Sequence, residues 1–246
     1  MTQESLGREH PFAATDSSPV AARWVAEAER LHHRYQTEIV EALGLCPWAV
    51  RARTDGTVRA RVMLQSDANV ESTLDALDTL TLDAQAEVAF LIYPRITMGR
   101  GEFERFVTNV RETDVPRHPL GCVPFVFAAF HPDAIPDATS GERLIPFLRR
   151  TPDPTIQILR SSVLEGIQSG TPQGTQFIDS GVFNFDAPPQ ATVSLRERIA
   201  GANLATVDRI GVDELTRRLD AIAEDRARTY RALAGAMDPV QAREPR

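Results

Sequence analysis

A cysteine, a histidine and several arginines are the residues of this chain whose types and spacing are suited to chemistry. Cys46 directly precedes Pro47, and proline favours the first position of a helix. We therefore expect Cys46 at or near a helix N-cap. The positive end of a helix dipole favours the thiolate, which is the form of cysteine that acts as a nucleophile, a redox centre or a metal ligand. The alternative is a small, buried residue at a helix junction.

His131 follows the apolar run 125–130, which has the length of a buried strand. Side chains at the carboxyl ends of strands commonly build the sites of α/β proteins. An imidazole in that place can act as a base or a ligand, and Asp133 is placed to orient it. A structural histidine held by hydrogen bonds is the alternative.

An aspartate-proline pair predicts a helix over residues 154–167, because Asp153 is a good N-cap and proline is a good first residue. Arg150 directly precedes this helix and Arg160 lies within it. A helix N-terminus next to guanidinium groups binds anions. We therefore expect Arg150, Arg160 and Asp153 to bind a small anionic substrate, such as a carboxylate or a phosphate. For the neighbouring Arg149 we expect a solvated charge.

The composition excludes several classes of function. The chain has 246 residues, of which 27 are basic and 34 acidic, so its formal net charge is −7. All 27 basic residues are arginine, and the absence of lysine excludes a Schiff-base enzyme and a P-loop. The net negative charge argues against binding to nucleic acid or to acidic membranes through bulk electrostatics.

The chain has the sequence character of a globular protein without a disulfide scaffold. Cys46 and Cys122 are its two cysteines, which are too few for such a scaffold. The polar N-terminus lacks the apolar stretch of a signal peptide, and no apolar run approaches the ~20 residues of a membrane span. We therefore expect a cytoplasmic protein with one domain over residues 20–237 and flexible tails at 1–19 and 238–246.

Hydrophobic periodicity predicts an α/β fold with a small, mainly parallel sheet, helical crossovers, a long N-terminal helix and a helical C-terminal region. A split βαβ sheet with one antiparallel strand is the alternative. Residues 169–189 are expected to form a loop, with a short hairpin near 176–185. Gly44 and Gly211 are expected to end the first helix and to separate the last two. The predicted strands are 58–64, 87–94 and 125–130, and the predicted helices are 20–43, 70–80, 102–112, 154–167, 195–209 and 212–236.

Four segments resemble the DUF1415 proteins, an uncharacterised bacterial family. Residues 43–49, Leu-Gly-Leu-Cys-Pro-Trp-Ala, resemble the family's GLNLCPFA motif, and residues 130–132 match its Phe-His-Pro. Residues 150–160 resemble its NRSPYPxxHLLRE segment, and residues 196–215 resemble its C-terminal helical region. The resemblance covers roughly residues 22–220 and indicates where a site lies, but it implies no established activity.

Two positions depart from the family pattern. Gln157 stands where the family usually has histidine, and Ser161 stands where it has glutamate. These departures argue against a metal site or an acid-base role that needs those residues. We include Gln157 among the candidate substrate-binding residues.

Three functions are consistent with these residues. In an enzyme, Cys46 would be the nucleophile or redox centre, His131 its base or proton donor, and the arginines would hold a small anionic substrate. In a binding module, the same pocket would hold a small anion, a metal ion or haem without turnover, since Cys-Pro also occurs as a haem-thiolate motif. In a structural network, the residues would only bind one another. With these residues in these roles, the first two functions require Cys46, His131, Arg150 and Arg160 to converge. The sequence leaves the oligomeric state open.

Overall fold

The computed structural model describes residues 18–119, 122–168 and 195–241. The predictions for residues 1–17, 169–189 and 242–246, including the hairpin, lie outside these residues. The described part of the chain forms eight α-helices, four strands, a π-helix and a short 3-10 helix. Their bounds are α1 Pro19–Arg34, the π-helix Tyr35–Glu41, α2 Ala49–Thr54, β1 Val58–Val62, α3 Val70–Leu82, β2 Val88–Ile92, α4 Arg100–Asp114, the 3-10 helix Val115–Arg117, β3 Phe125–Phe130, α5 Gly141–Leu148, β4 Thr155–Arg160, α6 Ser161–Gln168, α7 Leu195–Ile210 and α8 Val212–Gln241.

The four strands form one mixed sheet in the order β1-β2-β4-β3. β1 pairs in parallel with β2, whereas β4 pairs antiparallel with both β2 and β3. β1, β2 and β3 therefore run in the same direction, and their carboxyl ends lie at one edge of the sheet. The α/β class, the long N-terminal helix and the helical C-terminal region are confirmed. The expectation of a mainly parallel sheet is wrong, because β4 returns between β2 and β3 in the split βαβ arrangement.

β4 occupies a segment that the sequence predicts as a helix. Its residues include β-branched Thr155, Ile156 and Ile158, which favour extended backbone. The two isoleucines are buried on one side of the sheet, as the period of a strand requires. Helix begins only with α6 at Ser161, so the prediction that Asp153 caps a helix is wrong.

Helices cover both faces of the sheet. On the face that we call the α4 face, α3 and α4 contribute Leu80 and Phe103 to one hydrophobic cluster. On the opposite face, the α1 face, Leu31 of α1 and Phe147 of α5 share a cluster with Phe130, together with residues of α7 and α8. No helix in the described part of the chain is long and apolar enough to cross a membrane.

The N-terminal helix changes its winding before it ends. α1 begins at Pro19, where the Ser18 hydroxyl accepts a hydrogen bond from a backbone N–H, and it continues directly into the π-helix Tyr35–Glu41. Short π-helical segments inside α-helices frequently accompany functional sites. Gly44, at φ +62°, follows as the expected stop, and Gly211, at φ +86°, separates α7 from α8 as expected.

Candidate functional site

Cys46 lies in the turn that follows the π-helix. Its thiol is free and partly exposed, whereas the preceding Leu45 is buried in the cluster of the α1 face. α2 begins at Ala49 with Trp48 at its N-cap, so the expectation that Pro47 starts the helix is wrong. Because α2 has only six residues, its dipole is not the feature that distinguishes this thiol.

The buried hydroxyl of Tyr35, the first residue of the π-helix, contacts the backbone next to Arg149. It donates a hydrogen bond to the Leu148 carbonyl. Burial raises the pKa of Tyr35 well above its usual value, the charge of Arg149 opposes that rise, and Cys46 adds to it. The hydrogen bond to Leu148 therefore joins the π-helix, which precedes Cys46 in the chain, to the residue before Arg149.

Arg149 is half-buried, and its guanidinium carbon lies 5.3 Å from the centroid of the Phe130 ring. A cation over an aromatic face is held by the ring quadrupole. The sequence predicts a solvated charge for Arg149, and this prediction is wrong. Its only sequence signal is adjacency to Arg150, because the aromatic ring that holds it lies in another strand.

Gln157 projects onto the same face of the sheet as Phe130. Its strand neighbours Ile156 and Ile158 are buried on the α4 face, so Gln157 points the other way. It lies opposite Ala128 in the β3–β4 pairing, and its side chain is half-buried. Diagonal neighbours in such a pair are about 7–8 Å apart, which places Gln157 near the ring of Phe130.

We call Cys46, Tyr35, Phe130, Arg149 and Gln157 the thiol site. It combines a partly exposed thiol, a positive charge, an amide and an apolar floor on the α1 face of the sheet. Two of its members, Cys46 and Gln157, are among the residues predicted from the sequence as functional. Tyr35, Phe130 and Arg149 are the members that sequence reasoning missed.

His131 lies on the other side of the sheet. Its ring is 5.8 Å from that of Phe103 on α4, centroid to centroid, and its Nε2 is 3.0 Å from the Met98 carbonyl. The backbone N–H of Asp133 donates to Nδ1 at 3.2 Å. This network assigns the proton to Nε2. Burial lowers the pKa of His131, partly offset by the hydrogen bond to Met98.

These contacts give His131 a structural role. Both ring nitrogens bind backbone groups, so the ring ties the loop after β3 to the loop after β2. The alternation of strand residues directs Phe130 to the α1 face and His131 to the α4 face. The structure therefore does not bring His131 to Cys46 as a base or as a second ligand. The prediction that Cys46 and His131 converge with Arg150 and Arg160 is wrong.

Asp153 is completely buried, and both of its carboxylate oxygens bind protein groups. One carboxylate oxygen accepts a hydrogen bond from Arg226 Nε at 2.6 Å, and the other accepts one from the Tyr230 hydroxyl at 2.8 Å. Burial raises the pKa of Asp153, while the charge of Arg226 and the hydrogen bonds from both partners lower it. These two hydrogen bonds therefore link α8 to the residues just before β4.

Arg160 sits at the far end of β4 and binds backbone carbonyls. Nε donates to Ala86 at 2.8 Å, and one Nη donates to Leu80 and Asp83 at 3.2 and 2.8 Å. These bonds satisfy carbonyl groups at and just after the end of α3. Phe130 pairs with Thr155 at the other end of the strand, about 17 Å away at the usual rise per residue. The structure therefore does not bring Arg160 to the thiol site.

Arg150 joins the loop before β4 to α8. Its Nε donates to the Pro132 carbonyl at 3.0 Å, and an Nη lies 2.8 Å from a carboxylate oxygen of Asp220. The predicted anion site at residue 154 is therefore absent, since its helix does not exist and Asp153, Arg150 and Arg160 bind protein groups instead. In the described part of the chain, no group of three or more His, Cys, Asp or Glu is placed to hold a metal ion.

A family model described as a protein of unknown function (DUF1415) matches residues 27–180, which is more than half of the chain. The chain belongs to the DUF1415 family. No curated protein and no solved structure matches it. The DUF1415 match includes every member of the thiol site and ends before α7, so it does not extend to Arg226 and Tyr230, the partners of Asp153.

Proposed function

We propose that this DUF1415 protein is a cysteine-dependent enzyme that acts on a small anionic substrate at the thiol site. The observation that carries the proposal is the hydrogen bond from Tyr35 to the Leu148 carbonyl, which joins the segment before the partly exposed Cys46 to the residue before Arg149. A positive charge on the same face as a thiol attracts an anionic substrate toward that nucleophile. The π-helical segment that begins with Tyr35 supports the same assignment.

Each member of the site has a distinct role in this proposal. Cys46 supplies the nucleophilic sulfur. Arg149 supplies the charge that attracts a carboxylate or phosphate, and its fork of N–H donors matches the geometry of those groups. Gln157 supplies an amide for a polar group of the substrate, and Phe130 provides the apolar surface over which Arg149 is held. Tyr35 is a positioning residue, because its hydroxyl is already bound to Leu148.

The arginine assigned to the substrate differs from those expected from the sequence. Arg150 is paired with Asp220, and Arg160 binds three backbone carbonyls. Arg149 takes their place in the proposal because it shares the α1 face with Cys46.

Two alkylating reagents of nearly the same size test the proposal. Iodoacetate carries a carboxylate and iodoacetamide is neutral, so the ratio of their rates at one thiol measures local attraction for an anion. We expect this ratio to be about tenfold higher at Cys46 than at Cys122, which serves as the internal control. Peptide mass spectrometry separates the two sites.

Adjacent arginines provide the matched variants. Arg149→Gln should lower the ratio at Cys46 toward that at Cys122, whereas Arg150→Gln should leave it nearly unchanged because that guanidinium is bound to Asp220. Equal ratios at both thiols, or equal effects of the two variants, would contradict the proposal. A thermal-shift panel of small carboxylates and phosphates on wild type and Arg149→Gln then narrows the substrate class.

A further inference from the structure

β3 is an apolar strand at the edge of the sheet. Its six residues, Phe-Val-Phe-Ala-Ala-Phe, include no charged or polar side chain. Among the described residues, it pairs only with β4. Val126 is 44% exposed although it lies in the middle of an apolar strand. Edge strands usually carry charges, prolines or bulges that prevent further pairing, and β3 has none within its length.

The hydrogen bonds of β4 show which backbone groups of β3 face outward. The backbone N–H of Arg160 donates to the Glu87 carbonyl, and the Pro154 carbonyl accepts from the N–H of Tyr93. The backbone N–H and C=O groups of even-numbered residues in β4 therefore point toward β2. The backbone groups of its odd-numbered residues therefore point toward β3 and form hydrogen bonds with their partners there, as Gln157 does with Ala128.

Three residues of β3 consequently direct their N–H and C=O groups away from the sheet, namely Phe125, Phe127 and Ala129. Within the ranges that the structure describes, none of them has a backbone hydrogen bond at this outer edge. The backbone N–H of His131 also points away from the sheet, but it already donates to the Arg149 carbonyl. The open edge is therefore limited to these three residues.

We propose that β3 is a dimerisation strand that pairs antiparallel with β3 of a second copy of this chain. A two-fold axis at Phe127 places Phe125 opposite Ala129 of the second copy. This register forms three hydrogen-bonded residue pairs. Each pair exchanges two backbone hydrogen bonds, so the interface contains six. Val126 then lies opposite Ala128 of the second copy, which covers its exposed side chain. The two four-stranded sheets become one continuous sheet.

The symmetry of the strand favours a second copy as its partner, and its lack of charge permits the contact. With a net charge of −7, two chains repel each other over most of their surfaces. β3 brings only uncharged residues together, so this edge makes contact without a pair of like charges. The strand is also its own complement, since the two-fold register pairs every open N–H with an open C=O. The proposal does not depend on the activity of Cys46.

Analytical ultracentrifugation over a range of concentrations tests the oligomeric state with two matched variants. Val126 and Val115 are exposed to similar extents, 44% and 41%, but only Val126 lies in β3. Val126→Lys should raise the dimer dissociation constant about tenfold or more, because it places a charge within the strand pair. Val115→Lys should leave the constant nearly unchanged. A wild type that stays monomeric at every concentration, or equal constants for both variants, overturns the proposal.

A cross-link tests the register without relying on the folding of a charged variant. Residues that lie opposite each other in a non-hydrogen-bonded pair of an antiparallel sheet have Cα atoms close enough for a disulfide. In a chain that also carries Cys122→Ser, the double substitution Val126→Cys and Ala128→Cys should give a covalent dimer in which residue 126 is joined to residue 128. Amide exchange at Phe127 and Ala129 of the wild type should slow as concentration rises. A cross-link at other positions only, or exchange independent of concentration, contradicts this register.

Discussion

Asp153 Oδ1 lies 2.6 Å from Arg226 Nε, and this contact joins residues 73 positions apart across the α1 face. The carboxylate is completely buried, and the second oxygen is bound by Tyr230. The guanidinium carbon of Arg226 also lies 4.8 Å from the centroid of the Tyr230 ring. A carboxylate in such a place needs its partners, because an unpaired buried charge is costly.

Arg226→Met should therefore lower the free energy of unfolding by about 3–5 kcal/mol, since it leaves Asp153 buried without its counter-ion. Arg217→Met is the matched control on the same helix, because its guanidinium pairs with Glu214 at the exposed surface. Urea unfolding of both variants measures the difference. Similar midpoints for the two would show that the buried pair does not hold α8 to β4.

His32 should make the protein less stable in acid. Burial lowers its pKa to about 3, and neither ring nitrogen has a hydrogen-bond partner in the described structure. Between about pH 6.5 and 3 the unfolded chain binds a proton that the folded chain does not, so stability falls as the pH falls, by up to about 1.4 kcal/mol per pH unit.

His32→Phe should remove this part of the pH dependence, because phenylalanine has no group to protonate and keeps an aromatic ring beside Phe90. His33→Gln, at the exposed neighbouring position, should retain it. Urea unfolding at pH 7, 6 and 5 gives the slopes. Equal slopes for His32→Phe and the wild type would mean that His32 does not remain neutral in the folded state.

Arg160 should affect stability and leave the thiol site unchanged. Arg160→Ala removes three hydrogen bonds to backbone carbonyls near the end of α3, and we expect a loss of about 2–4 kcal/mol in the free energy of unfolding. The ratio of iodoacetate to iodoacetamide rates at Cys46 should not change. A lower ratio in a folded Arg160→Ala protein would restore Arg160 as a substrate-binding residue.

Gly44 should be required for the turn that presents Cys46. Its φ of +62° costs a residue with a Cβ about 1–2 kcal/mol. We therefore expect Gly44→Ala to lower stability by that amount and to alter the alkylation rate of Cys46. Gly101→Ala is the control, since this glycine lies in α4, has no positive φ and has space for a Cβ. Equal effects of the two substitutions would argue against a special role for the turn.

Local signals in the sequence predict much of the fold. The apolar run 125–130 becomes β3 with the same bounds, and the glycines at 44 and 211 end helices as expected. These features depend on side-chain period and on positive φ, which are properties of short segments. The Leu-Cys-Pro-Trp segment marks the break between two helices, although the second helix begins at Ala49 and not at Pro47.

Tertiary structure alone decided the pairing of β4 and the membership of the thiol site. The sequence of residues 153–160 carries both an N-cap signal and β-branched residues, and the choice between helix and strand depends on β2 and β3 on either side. Once β4 forms, Asp153 and Arg160 bind α8 and α3, and the alternation of a strand sends Phe130 and His131 to opposite faces. Arg149 lies over Phe130 for the same reason, because contacts between distant segments are set by strand order and side-chain direction, which a sequence does not display.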